Sequence, residues 1–113
     1  MEARLPAHLE VSGLLRQTQA LGGFAAVLCK GEHEAGTILI VITENGYNTI
    51  AYERMPQPGG SRSWSVSKQQ DIENKSEFEE YLARRQRQDP DLWIIELDIA
   101  QGQRLIGLSP PNP

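Results

Sequence analysis

The chain of 113 residues holds one cysteine, Cys29, so no disulfide can form within it. It holds two histidines, His8 and His33, which leaves few partners for acid–base, nucleophilic or metal chemistry. A basic excess is missing as well. Eleven lysines and arginines face 15 aspartates and glutamates, giving a net charge of −4 and a pI near 5.1. A general binder of nucleic acid or of acidic membranes would carry the opposite balance. Long hydrophobic runs are absent too. The longest, Phe24 to Cys29, is far too short to span a bilayer. The opening MEARLPAHLEVSG has no apolar core of the kind a signal peptide needs. These absences predict a protein of the reducing cytoplasm, with no membrane role.

What is present speaks most clearly between Thr37 and Arg54. Asn45-Gly46 separates two runs rich in β-branched and aromatic residues, and both residue types tolerate the positive φ of a type I′ turn. A two-residue loop there sets Glu44 opposite Tyr47, Val41 opposite Ile50 and Leu39 opposite Tyr52. One sheet face then carries Leu39, Val41, Ile50 and Tyr52, and the other Ile38, Ile40, Ile42, Thr49 and Ala51. A first strand apolar on both faces belongs inside a sheet.

Around this hairpin the remaining elements fall into place. Leu9, Val11, Leu14, Leu15, Thr18 and Leu21 recur at helical steps, and Gly22-Gly23 stops the helix. Its start falls either near residue 7, behind Pro6, or near Ser12, because Gly13 weakens it by about 1 kcal/mol. Phe24 to Lys30 is a short apolar strand, followed by the polar loop Gly31 to Gly36. Met55 to Ser61, with two prolines and two glycines, is a loop. Arg62 to Lys68 alternates as a half-buried edge strand, with Trp64 and Val66 on one face and serines on the other. Ser76 and Glu79 form a capping-box pattern opening a second helix whose stripe is Phe78, Tyr81 and Leu82. Asp89-Pro90 ends it. In the last strand, Leu92 to Ile99, the residues Trp93, Ile95, Leu97 and Ile99 share a face. The expectation is one α+β domain over residues 1–113, in the order α-β-β-β-β-α-β. Its antiparallel sheet has about five strands, two helices pack on one face, and the tail frays from about residue 101.

Four blocks of this sequence resemble a known family. They are Val11-Ser12-Gly13-Leu14-Leu15-Arg16, Gly22-Gly23-Phe24-Ala25, Lys30-Gly31 with Ala35-Gly36-Thr37-Ile38-Leu39, and Asp89-Pro90-Asp91-Leu92-Trp93-Ile94-Ile95-Glu96. The family is one of small alphaproteobacterial proteins catalogued as a domain of unknown function. The likeness runs from about Val11 to Asp98 and is clearest in the last block. It implies a bacterial, cytoplasmic, single-domain protein and brings no activity, cofactor or catalytic residue.

Candidate sites are thin. Cys29, Glu32, His33 and Glu34 include zinc-ligand types, and His8 could join them. Yet Cys29 ends an apolar strand, where cysteine is usually a small buried hydrophobe, so a solvated loop is favoured and no metal or cofactor is expected. Serines 61, 63, 65 and 67 have no neighbouring histidine or nucleophile elbow. Gly59-Gly60-Ser61-Arg62 lacks the strand–loop–helix setting of a phosphate cradle. Arg84, Arg85 and Arg87 complement a helix C-terminus. That leaves Arg54 and Arg62 beside Trp64 as the binding candidates, next to the Pro56–Gly60 loop. The favoured function is a non-catalytic interaction module with a protein partner or a homodimer through an edge strand. The alternatives are a small enzyme with its site near His33 and Cys29, or a phosphate or nucleic-acid binder using Arg54, Arg62 and Trp64.

Overall fold

The computed structural model describes residues 5–56 and 62–111. Helix α1 spans Ala7–Ala20. Strands β1 to β4 span Phe24–Cys29, Ile38–Glu44, Tyr47–Pro56 and Arg62–Gln69. Helix α2 spans Lys75–Gln88, strand β5 Trp93–Asp98, and a closing 3₁₀ helix Gly102–Ile106. Of the loop expected over Met55 to Ser61, Met55 and Pro56 instead end β3, and residues 57–61 lie outside the described residues.

The five strands form one sheet in the order β1-β5-β2-β3-β4. Neighbours are antiparallel except β2 and β5, which run parallel from Ile38 beside Trp93 to Thr43 beside Asp98. The sheet is mostly antiparallel, as expected, and the one parallel pair makes it mixed. The two helices also cover opposite faces rather than one. Ala7, Val11 and Leu14 of α1 pack on Ile38, Ile40, Ile42, Ile50, Tyr52, Trp93, Ile95 and Leu97. Phe78 of α2, with Tyr81 and Leu82, packs on Leu39, Val41, Ala51, Leu92 and Ile94. The physical reason is the sequence of β2 and β5. Both are apolar on alternate faces, and burying only one face would leave the other row of branched side chains in water.

The hairpin turn forms as expected, with Asn45 at φ +54° and Gly46 at φ +82°. Glu44 does face Tyr47, but the pairing then slips by one residue. Asn48 sits in the left-handed region at φ +53°, and β3 carries one extra residue against β2 there. Beyond this bulge Ile42 faces Ile50, Val41 faces Ala51, Ile40 faces Tyr52 and Leu39 faces Glu53. The expected Val41–Ile50 and Leu39–Tyr52 pairs do not form. The slip turns Ile50 and Tyr52 to the α1 face and Ala51 to the α2 face, as a period of two requires.

Helix α1 begins at Ala7 despite Gly13. No side chain caps it, and its first amides are satisfied by the β1–β2 loop: Ala7 N–H donates to the Glu34 carbonyl at 2.9 Å and His8 N–H to that of His33 at 3.0 Å. At its other end Gly22 adopts φ +90°, Gly23 N–H reaches the Thr18 carbonyl and Gly22 N–H that of Gln19, a Schellman closure. Helix α2 starts from Asn74, and Ser76 Oγ donates to Asn74 Oδ1 at 3.0 Å, so the expected Ser76–Glu79 capping box is not made. The tail does not fray at residue 101. Gly102 and Gln103 are buried, and Leu105, Ile106 and Leu108 close the α1-face core. Among the described residues no helix is long and apolar enough to cross a membrane.

Candidate functional site

Trp64 and Arg54 do meet, opposite each other on β4 and β3. The Arg54 guanidinium lies 4.6 Å from the Trp64 ring centroid, a cation–π contact. The same guanidinium holds Glu10 of α1 through its two terminal nitrogens, each at 2.8 Å. Trp64 itself packs partly buried against the α1-face core. The pair therefore braces α1 onto the sheet edge, and its charge is already matched. Arg62 pairs through its backbone with Pro56, its side chain lying outside the described residues together with the loop that follows Pro56.

A second polar cluster fixes α2. Arg85 donates to both carboxylate oxygens of Glu53, and the Tyr81 hydroxyl lies 2.9 Å from Ser67 Oγ and 3.2 Å from Glu53 Oε2. The Glu53 carboxylate raises the Arg85 pKa above its ordinary value against the opposing pull of burial. Lys68 pairs with Glu77 at 2.8 Å. His33 and Cys29, the residues of the enzyme alternative, have different neighbours, and neither joins Glu53. Glu53 belongs to this cluster, Cys29 packs partly buried beside Ile94 on β1, and His33 stacks on His8.

The β1–β2 loop is pinned from several sides. Glu32 N–H donates to the Asp91 carbonyl at 2.9 Å, and Trp93 Nε1–H donates to the Glu32 carbonyl at 2.7 Å. The Glu32 carboxylate accepts the amides of Ala35 and Glu34. Those donors, Ala35 first, hold its pKa below the usual carboxylate range. An open cleft of about 310 Å³ lies between the hairpin end and the tail, lined by Ile42, Glu44, Asn48, Gln101 and Gln103 with Pro110 and Pro111.

Among the described residues Glu96, half-buried on β5, is the one carboxyl whose pKa is pushed up, first by burial and then by the negative charge of Asp98. Its folded value lies above its unfolded one, so the folded chain binds the extra proton. This residue's contribution to stability therefore grows as pH falls through the folded value and declines as pH rises. Glu96→Gln is expected to raise the melting temperature at pH 7 and to lose that gain below the ordinary carboxyl value of 4.5. Thermal melts at the two pH values check this, and an equal gain at both would contradict it.

The least satisfied element is β1. It lies at one end of the sheet, and its outer edge pairs with no strand among the described residues. Phe24 is 77% exposed, Leu28 47% and Val27 41%, and Leu21 in the approach to the strand is 67% exposed. No residue from Phe24 to Cys29 carries a charge. The opposite edge strand, β4, carries Arg62, Lys68 and three serines and is bulged against β3, the usual means of blunting an edge. The sequence shows β1 as apolar. That it ends up at an edge depends on β5 inserting between β1 and β2, which no local pattern signals.

The fold is thus a small α+β sheet protein with helices on both faces and one unprotected apolar edge. The chain belongs to the DUF1491 family, whose description is "Protein of unknown function" and whose model matches residues 5–107. A crystal structure of a DUF1491 family protein from Caulobacter crescentus CB15 superposes with a TM-score of 0.81 at 24% identity, covering 94% of this chain and 98% of that one. Protein Atu0922 from A. tumefaciens, solved in solution, gives a TM-score of 0.74 at 28% identity, covering 98% of this chain and 100% of its own. Both sources are alphaproteobacteria, as the sequence resemblance implied. No curated protein matches the chain.

Proposed function

We propose that this chain is a non-catalytic interaction module whose contact element is β1, and that the strand it takes up is β1 of a second copy. The observation that carries this is the uncharged, exposed strand Phe24–Cys29 at an open edge. Unpaired amides and carbonyls along such an edge template another strand. Because Phe24 to Cys29 bears no charge, antiparallel pairing of two copies opposes no like charges, and a twofold axis through the strand closes the assembly at a dimer. Phe24 stands on the α2 face and Val27 on the α1 face, following their partners Asp98 and Ile95, so pairing covers apolar surface on both sides. The cleft beside the hairpin supports the non-catalytic reading, because its polar lining is one carboxylate and three amides, without a base–nucleophile pair. Arg54, Arg85 and Lys68 are each paired with a carboxylate, which with the acidic balance speaks against nucleic acid. A cytoplasmic setting fits a chain with one thiol, Cys29.

The test is sedimentation velocity across a range of concentrations. The unaltered chain is expected to sediment as a dimer. Ala26→Lys, placing a charge on the exposed centre of β1, is expected to give a monomer of unchanged circular dichroism, while Ser63→Lys on β4 leaves the dimer intact. A chain that is monomeric at every concentration, or a dimer lost with Ser63→Lys and kept with Ala26→Lys, would overturn the proposal.

A further inference from the structure

His8 and His33 are 25 residues apart in the chain, and the fold brings them face to face. Their rings stack with centroids 3.5 Å apart and an interplanar angle of 11°. Glu34 joins them, its carboxylate 3.5 Å from His33 Nδ1. One ligand atom from each of the three lies within 4.8 Å of the others. Two features make this more than a chance meeting of surface side chains. First, the loop carrying His33 and Glu34 is fixed by the Asp91, Trp93 and α1 contacts, so the three side chains start from anchored backbone. Second, His8 Nδ1 lies 3.0 Å from the His33 carbonyl oxygen. A carbonyl only accepts, so Nδ1 is the donor in this contact and Nε2 is the nitrogen left to face a metal ion. A ring whose second nitrogen donates to a backbone carbonyl is the arrangement that orients histidines bound to metals.

We propose that His8, His33 and Glu34 form a binding site for a divalent transition-metal ion of the zinc class. Two imidazoles and one carboxylate suit such an ion, and three protein ligands leave a further position to water. With bonds of about 2.0–2.1 Å, tetrahedral ligand atoms stand about 3.3 Å apart, so binding draws the set together and exchanges the ring stack for coordination. The His33 and Glu34 side chains are 60% and 64% exposed, so they turn without disturbing the core. The ion would tie the first turn of α1 to the β1–β2 loop. Cys29, part of β1 and packed against the α2-face core, takes no part.

The metal-free chain titrated with zinc chloride tests this by calorimetry and by long-range ¹H–¹⁵N spectra of the imidazoles. One ion per chain is expected, with shifts at both histidines and a melting temperature that rises with zinc. His8→Ala and His33→Ala are each expected to weaken binding by more than about 100-fold, beyond the usual loss on removing an outer-shell partner. Glu34→Gln weakens it less, and Cys29→Ser leaves it unchanged. His33→Ala should melt like the unaltered chain without zinc, showing that the fold is intact. Zinc affinity unaffected by His33→Ala, or abolished by Cys29→Ser, would overturn the site. So would uptake of several ions with no histidine shift. None of these results depends on whether β1 pairs.

Discussion

Trp93→Ala is expected to lower the unfolding free energy by about 3–5 kcal/mol, the range for truncating a buried aromatic in a core that only partly collapses. In a domain of this size that is a fall of more than about 10 °C in melting temperature. Trp93 is 4% exposed at the start of β5, amid the side chains that α1 covers. Its indole N–H also holds the Glu32 carbonyl, so the substitution both opens a cavity and releases the β1–β2 loop. Trp93→Phe separates the two effects. It keeps most of the ring and is expected to cost about 1 kcal/mol for the lost hydrogen bond, plus a small packing term. Chemical denaturation of the three chains measures this, and a Trp93→Ala loss no larger than that of Trp93→Phe would show that the ring contributes little to the core.

Gly31→Ala is expected to cost about 3 kcal/mol, the upper end of the usual overpacking range. A β-carbon on Gly31 would press on the Asp91 carbonyl oxygen and stand 2.7 Å from both Leu92 C and Trp93 Cδ1. Two of those three are backbone, which cannot turn aside as a flexible side-chain end can. Gly13→Ala serves as the control, since nothing lies within 4 Å of its added methyl and helix propensity favours alanine by about 1 kcal/mol. Thermal melts should therefore move in opposite directions for the two substitutions. Equal and small shifts would mean that the loop does not approach β5 as closely as described.

Much of this architecture was legible in residue order. Asn45-Gly46 announced its turn, Gly22-Gly23 the end of α1, and the alternation of Trp93, Ile95 and Leu97 the α1-facing row of β5, because each rests on contacts or dihedrals of neighbouring residues. The losses came from one local bulge and from partners far along the chain. Asn48 shifted the hairpin register, since asparagine tolerates the left-handed region and a bulge leaves the hydrophobic pattern unchanged up to the slip. The insertion of β5 between β1 and β2 sent the helices to opposite faces and put an apolar strand at the rim. At the candidate sites the same rule held. Arg54 beside Trp64 looked available as a binding pair until Glu10, 44 residues earlier, was found to hold it. His33 looked solitary in its loop until α1 brought His8 onto its ring. Sequence shows which chemistry a residue carries, whereas long-range packing decides whether that chemistry is still free.

The most direct measurement of the β1 contact is an isotope-filtered NOE spectrum on a mixture of labelled and unlabelled chains. Cross-peaks between Ala26 or Val27 of one copy and the Phe24–Cys29 strand of the other are the predicted result. A mixture with no intermolecular peaks at high concentration, or with peaks confined to Trp64 and the β4 edge, would contradict it.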